Sequence, residues 1–161
     1  MTWLILVVML LVVCFGFVLL YGAPYLPTLT KQVDVALDLI DLQEGQTLLE
    51  LGCGDGKVLL AAAARGWNAI GYELNPIMAF IAWLRTRRYG KQVRVVCGNF
   101  WTSPWPPTDA IFVFLLDKFM PRLDTKIAQL HQPVKLVSFA FQIPTKKPAV
   151  SRDGLFLYLY D

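Results

Sequence analysis

Seven residues, Glu50-Leu51-Gly52-Cys53-Gly54-Asp55-Gly56, constrain this chain more than any others. They stand between an apolar run, Thr47 to Leu49, and a run of helix formers, Lys57 to Ala64. Three glycines within five residues permit positive φ and let the backbone come close to a ligand. A helix that starts directly after such a turn aims its free N–H groups at whatever sits there. Strand, glycine turn and helix in this order predict an α/β fold whose turn holds a nucleotide-like ligand.

Spacing and charge narrow the ligand. A dinucleotide fingerprint counted from Gly52 needs its third glycine at position 57, where Lys57 stands. A phosphate-cradling loop ends in Gly-Lys-Ser/Thr, and Gly56-Lys57-Val58 lacks the hydroxyl that would hold magnesium. Glu50 and Asp55 flank the glycines; two carboxylates repel a pyrophosphate and suit a ligand with an ammonium group and a positive sulfur. A third acid, Glu73, ends the next expected strand, Asn68 to Tyr72, 18 residues after Asp55. A carboxylate at that place accepts hydrogen bonds from ribose hydroxyls.

The rest of the chain alternates in the same way. Strands are expected over residues 47–51, 68–72, 93–97, 109–116 and 134–141, with helices over 57–65, 76–88 and 121–130. The strands are near-continuous apolar runs, as a parallel sheet covered on both faces requires. A last strand, Gly154 to Tyr160, pairs with residues near Val150 through Arg152-Asp153-Gly154. A short amphipathic helix over 30–42 is expected beside the cofactor end of the sheet.

The paired motifs ELGCGDG and GYELNP make the chain resemble the class I, seven-stranded S-adenosylmethionine-dependent methyltransferases. The resemblance implies a Rossmann-like sheet with helices on both faces and S-adenosyl-L-methionine as the cofactor. It carries that cofactor onto Glu50, Gly52, Gly54, Asp55 and Glu73. In this class the loop after the third strand surrounds the adenine ring, which places Asn99 at the exocyclic amine and Phe100, or Trp101, against the ring. The fourth strand ends at Leu116-Asp117-Lys118, where such folds address the acceptor, outside the carboxyl ends of strands. Asp117 is thus a candidate catalytic residue that orients or deprotonates an amine; the alternative is a helix N-cap ahead of Pro121. The Asn/Asp-Pro-Pro-Tyr sequence that marks adenine amino methylation in nucleic acid is missing from that strand end.

Composition points to a second environment. Of 161 residues 56% are hydrophobic, and a mean hydropathy of +0.50 is high for a chain wholly in water. Trp3 to Tyr21 is 19 residues without a charge, roughly 28 Å as a helix, about one hydrocarbon core. No Lys or Arg precedes it and Tyr21-Gly22-Ala23-Pro24 is a poor cleavage site, so a retained anchor is favoured over a signal peptide. The expected organisation is an anchor and linker over 1–29 and a catalytic domain over 30–161. Because the cofactor is made in the cytosol, a single-pass protein with its catalytic domain in the cytoplasm is expected. Cys14, Cys53 and Cys97 lack metal-ligand spacing, so no metal is expected, and a net charge of +3 does not call for nucleic acid. The lone histidine, His131, suits a helix C-terminus. Arg85, Arg87, Arg88, Lys91 and Arg94 gather where a helix gives way to a strand.

Read together, Pro24-Tyr25-Leu26-Pro27-Thr28, ELGCGDGK, AAAARGWNAIGYELNP, Asn99-Phe100-Trp101 and Phe119-Met120-Pro121 give a closer resemblance. The chain looks like the membrane-anchored protein-lysine methyltransferases that modify the ATP synthase c subunit and the adenine nucleotide translocase. That resemblance implies methyl transfer to a lysine of a membrane protein. The chain departs from it at Asn99, where the family tends to carry Asp. Methyl transfer to a lipid-soluble small molecule such as a quinone, and a non-catalytic cofactor-binding module, remain open beside it.

Overall fold

The computed structural model describes residues 2–9, 12 and 30–161. Thr30–Ile40 forms α1, in which Val33, Ala36, Leu37 and Ile40 recur at three and four residues and are buried. Then follow β1 (Thr47–Leu51), α2 (Lys57–Ala64), β2 (Asn68–Glu73), α3 (Pro76–Thr86), β3 (Val93–Cys97), β4 (Ala110–Val113), α4 (Met120–Ala128), β5 (Val134–Phe139), β6 (Val150–Arg152) and β7 (Leu155–Tyr160). The strands form one sheet in the order β3-β2-β1-β4-β5-β7-β6. β1 to β5 run parallel, and β7 pairs antiparallel with both β5 and β6. The strand order reverses between β1 and β4, which opens a crevice outside their carboxyl ends.

Alternation along each strand divides the apolar side chains between two cores. Leu48, Phe112, Val137 and Leu157 meet α1 and α2, with Ala82 of α3. Leu49, Leu51, Ile111, Val113 and Leu136 meet Met120, Leu123 and Ile127 of α4. No helix joins β3 to β4; Phe100, Trp101 and Trp105 of the connecting loop pack against the second core instead. An aromatic loop standing in for a helix is how so short a domain covers both faces of its sheet.

The structure shortens several expected elements. α3 stops at Thr86 instead of 88, and residues 87–92 wind as a 3₁₀ helix interrupted at Gly90, with φ of 55°. β4 ends at Val113 instead of 116, because its neighbours β1 and β5 offer paired residues only as far as Leu51 and Ser138. α1 packs on α2, β5 and β7 rather than beside the glycine turn. Its C-terminal carbonyls at Ile40 and Asp41 accept from Lys135 Nζ at 2.7 and 3.1 Å, at the start of β5. Apart from residues 3–9 and 12, the expected span Trp3 to Tyr21 and the linker to residue 29 lie outside the described residues. Residues 2–9 are helical and exposed, and among the described residues no helix is long and apolar enough to cross a membrane.

One glycine sets how closely α2 approaches the sheet. Gly71 sits in β2 opposite Glu50, and a Cβ there would lie 2.6 Å from Leu59 Cδ1 and 2.7 Å from Cys53 Cβ. Both neighbours are buried. Gly71→Ala is therefore expected to lower the unfolding free energy by about 1–3 kcal/mol through overpacking. Urea unfolding checks this, and a loss below about 0.5 kcal/mol, the size of an ordinary surface change, contradicts it.

Candidate functional site

The carboxyl ends of β1, β2 and β3 meet at one residue, Glu73. Its Oε2 accepts from Gly54 N–H and its Oε1 from Asn75 N–H, both at 2.8 Å. Its main-chain carbonyl accepts from Gly98 N–H at 2.8 Å. The preceding carbonyl, that of Tyr72, accepts from both Gly52 and Cys53 N–H at 2.9 Å. Three loops thus take their shape from the last two residues of β2. Asn75 then starts α3, its Oδ1 accepting from Ile77 N–H at 2.9 Å, with Pro76 in the first turn.

The glycine turn between β1 and α2 has room for a ligand. Gly52, Gly54 and Gly56 take φ of 88°, 52° and 77°, which side-chain-bearing residues rarely adopt. A Cβ at Gly52 would meet nothing within 4 Å, so the backbone there borders open space. At Gly56 it would meet Ala82 Cβ at 3.1 Å, so that glycine serves the packing of α2 on α3. At the start of α2 the N-cap residue is Gly56, and Asp55 Oδ1 accepts from Lys57 N–H at 3.3 Å.

Glu50 is the buried acid of the site. It lies in β1, 5% exposed, and its Oε2 is buried without a hydrogen-bond partner. Burial, with Asp55 and Glu73 nearby, raises its carboxyl well above the usual 4.5. Burial also raises the Cys53 thiol, helped by Glu50 and Glu73, which makes Cys53 an inert apolar neighbour. A buried acid lacking a donor fits a ligand that brings a cation or an N–H. Glu73 keeps lone pairs beyond the two its backbone bonds use, which fits ribose hydroxyls. The residues present therefore suit S-adenosyl-L-methionine.

Other expected site residues are placed differently. The Asp55 carboxylate pairs with the Arg85 guanidinium of α3, and Arg85 also donates to the Asp55 carbonyl at 3.0 Å. Asp55 thus ties the glycine turn to α3, a task that neighbouring positions in sequence do not reveal. Asn99 follows β3, and its Oδ1 accepts from Trp101 N–H at 2.9 Å, so the loop's own backbone engages the oxygen expected at adenine. Phe100 packs on Trp101 with ring centres 4.7 Å apart. Asp117 is exposed beyond β4 in a 3₁₀ turn, and the N-cap of α4 is Phe119, so Asp117 does not cap that helix. His131 is exposed beyond α4, with φ of 50°. Among the described residues no cluster of His, Cys, Asp or Glu could hold a metal.

The Asn99 to Trp105 loop is clamped by residues the sequence did not single out. Tyr72 Oη donates to Pro104 O at 2.7 Å, and Lys126 Nζ donates to Trp101 O at 2.9 Å. Arg122 lies 4.4 Å from the Trp101 ring centre and Lys126 4.8 Å from that of Trp105. Burial of its ammonium, then Arg122, lowers Lys126 from its usual range. Arg122 and Lys126 stand four apart on α4, and that spacing with the aromatic loop was the only available signal.

Comparison with known proteins agrees with this geometry. A family model described as the ANTKMT methyltransferase domain matches residues 50–150. The chain is 27% identical over 143 residues to the ATP synthase c subunit lysine N-methyltransferase of Homo sapiens, covering 86% of this chain and 61% of that protein. It is 33% identical over 136 residues to the adenine nucleotide translocase lysine N-methyltransferase of Mus musculus, covering 81% and 59%. The match spans between 51% and 61% of the length of the vertebrate relatives named for the ATP synthase c subunit. An RNA methyltransferase from Salinibacter ruber, crystallised with S-adenosyl-L-homocysteine, superposes with a TM-score of 0.75 at 25% identity, over 84% of this chain and 92% of that one. With its seven-stranded Rossmann-like sheet and a family match over more than half its length, the chain belongs to the family of the ANTKMT methyltransferase domain.

Proposed function

We propose that the chain transfers a methyl group from S-adenosyl-L-methionine to a lysine of a protein, and that this protein lies in a membrane. The observation that carries the reading is the acid-lined glycine turn, with buried, unpartnered Glu50 and bridging Glu73, in a chain of this family. The names of its relatives, which act on the ATP synthase c subunit and on adenine nucleotide translocase, support a lysine acceptor. We further propose that residues 3–21 anchor the chain in the bilayer, with residues 1–29 as anchor and linker and 30–161 as the catalytic domain on the cytoplasmic side. The uncharged 19-residue run supports that placement.

The bound cofactor supplies an electrophilic methyl group on a cationic sulfur, and the chain's residues align the acceptor with it. In-line displacement asks the protein mainly to orient the partners and exclude water. Glu73 would accept from the ribose hydroxyls, and Glu50 would balance the positive charge of the cofactor. An acceptor lysine, with a reference pKa of about 10.4, must lose a proton before it attacks. Asp117, exposed in the 3₁₀ turn beyond β4, would orient that amine or take its proton.

Two measurements test this reading. Membranes incubated with the chain and radiolabelled cofactor are expected to yield a labelled protein band that survives organic extraction. Label confined to lipid extracts favours a quinone-like acceptor and contradicts the lysine reading, as does label confined to RNA. The second concerns Glu50. Its carboxyl is raised in the folded state, so its contribution to stability is full below about pH 4.5 and is lost as pH rises through the raised value. Urea unfolding without cofactor is therefore expected to show stability falling from pH 5 toward pH 8, with a flatter profile for Glu50→Gln. At pH 8 that variant is expected to be more stable than the parent by on the order of 1 kcal/mol. Parallel profiles contradict the account.

A further inference from the structure

Among the described residues, nothing covers one face of α3. Ala79, Ala82 and Thr86 point into the domain, while Phe80, Trp83 and Leu84 on the opposite side are 60%, 51% and 43% exposed. Positions 80, 83, 84 and 87 form one stripe of the helix. Phe80 and Trp83 stack with ring centres 5.8 Å apart, so the patch is continuous. Among exposed large hydrophobics within residues 30–161, only Val150 and Leu159 lie elsewhere.

The stripe runs into a basic end. Arg87, Arg88, Lys91 and Arg94 are exposed, and no Asp or Glu occurs between Glu73 and Asp109 to offset them. Arg85 is set apart by its pairing with Asp55. Trp, Phe and Leu on one face with Arg and Lys adjoining is the pattern of a helix lying in a bilayer interface, rings among the acyl chains and cations at the headgroups. Single-stranded nucleic acid would be met by cations tracking its backbone between stacking rings. Here the cations collect at one end, and Leu84 offers a nucleotide neither stacking nor a hydrogen bond.

We propose that this face of α3, Phe80, Trp83 and Leu84 with the basic end from Arg87 to Arg94, docks on an anionic lipid surface. The contact is separate from the Trp3 to Tyr21 run and does not depend on methyl transfer. α3 runs from Asn75, its N-cap two residues after Glu73, back to the amino end of β3, so docking lays this flank of the sheet along the bilayer.

Fluorescence quenching by lipids brominated in their acyl chains tests this with the full chain in phosphatidylcholine vesicles, with and without phosphatidylglycerol. The emission lost in Trp83→Phe isolates the Trp83 signal from the other tryptophans, however the rest of the chain attaches. That signal is expected to be quenched at least about threefold more strongly when phosphatidylglycerol is present. The Arg87→Gln/Arg88→Gln double variant is expected to lose the difference while keeping the parent's unfolding midpoint. Absence of Trp83 quenching, or equal quenching in both vesicles, overturns the proposal. So does concentration-dependent shielding of Trp83 by a second copy, or its protection by single-stranded RNA in place of vesicles.

Discussion

The hydrogen bonds of Glu73 hold the functional end of this protein together. Its side chain accepts from Gly54 and Asn75, and its carbonyl from Gly98, so one residue joins the loops after β1, β2 and β3. Bonds from N–H groups to an ionised carboxylate are stronger than neutral ones. They are needed here because glycines are the residues most costly to order. With the turn fixed, Gly52 borders open space, α2 points its first turn at that space, and α3 starts at Asn75 in a set direction. The exposed stripe of α3 inherits its position from the same bridge.

The glycine turn itself hardly needed a structure, since strand, glycines and helix follow one another and each step is local. Glu73 was also legible, because it ends an apolar run at the right distance. The parallel sheet followed from alternation, and the last hairpin from Arg152-Asp153-Gly154. What sequence could not show were pairings made by packing. Asp55 meets Arg85 only because Ala82 lets α3 lie against Gly56. Gly71 reads as an ordinary strand residue until Leu59 and Cys53 close over it. In α3 both faces are apolar, so periodicity alone does not say that Ala79 and Ala82 turn inward while Phe80 and Trp83 stay outside. Asn99 is a different case. Its habit of bonding backbone two residues on is general, and that local bond uses one of the two lone pairs of the oxygen assigned to adenine.

The three acids around the turn divide the work. Asp55 is paired with Arg85. Glu73 is satisfied by backbone and still able to accept more. Glu50 alone is buried without a partner, a state that costs stability until a cation or donor arrives. An acid in that condition favours a positively charged ligand over a pyrophosphate, the distinction that the acids flanking the glycines first suggested. Loss of stability without ligand and gain of affinity with it are the same electrostatic free energy seen from two states.

The central claim is that Glu73 both shapes the turn and holds the cofactor. Calorimetric titration of S-adenosyl-L-homocysteine into the parent chain and into Glu73→Ala tests it most directly, with each chain's folding confirmed by its unfolding transition. The account predicts saturable binding by the parent and a loss of at least about tenfold in affinity, 1.4 kcal/mol, for the variant. Unchanged affinity in a folded Glu73→Ala chain would contradict it.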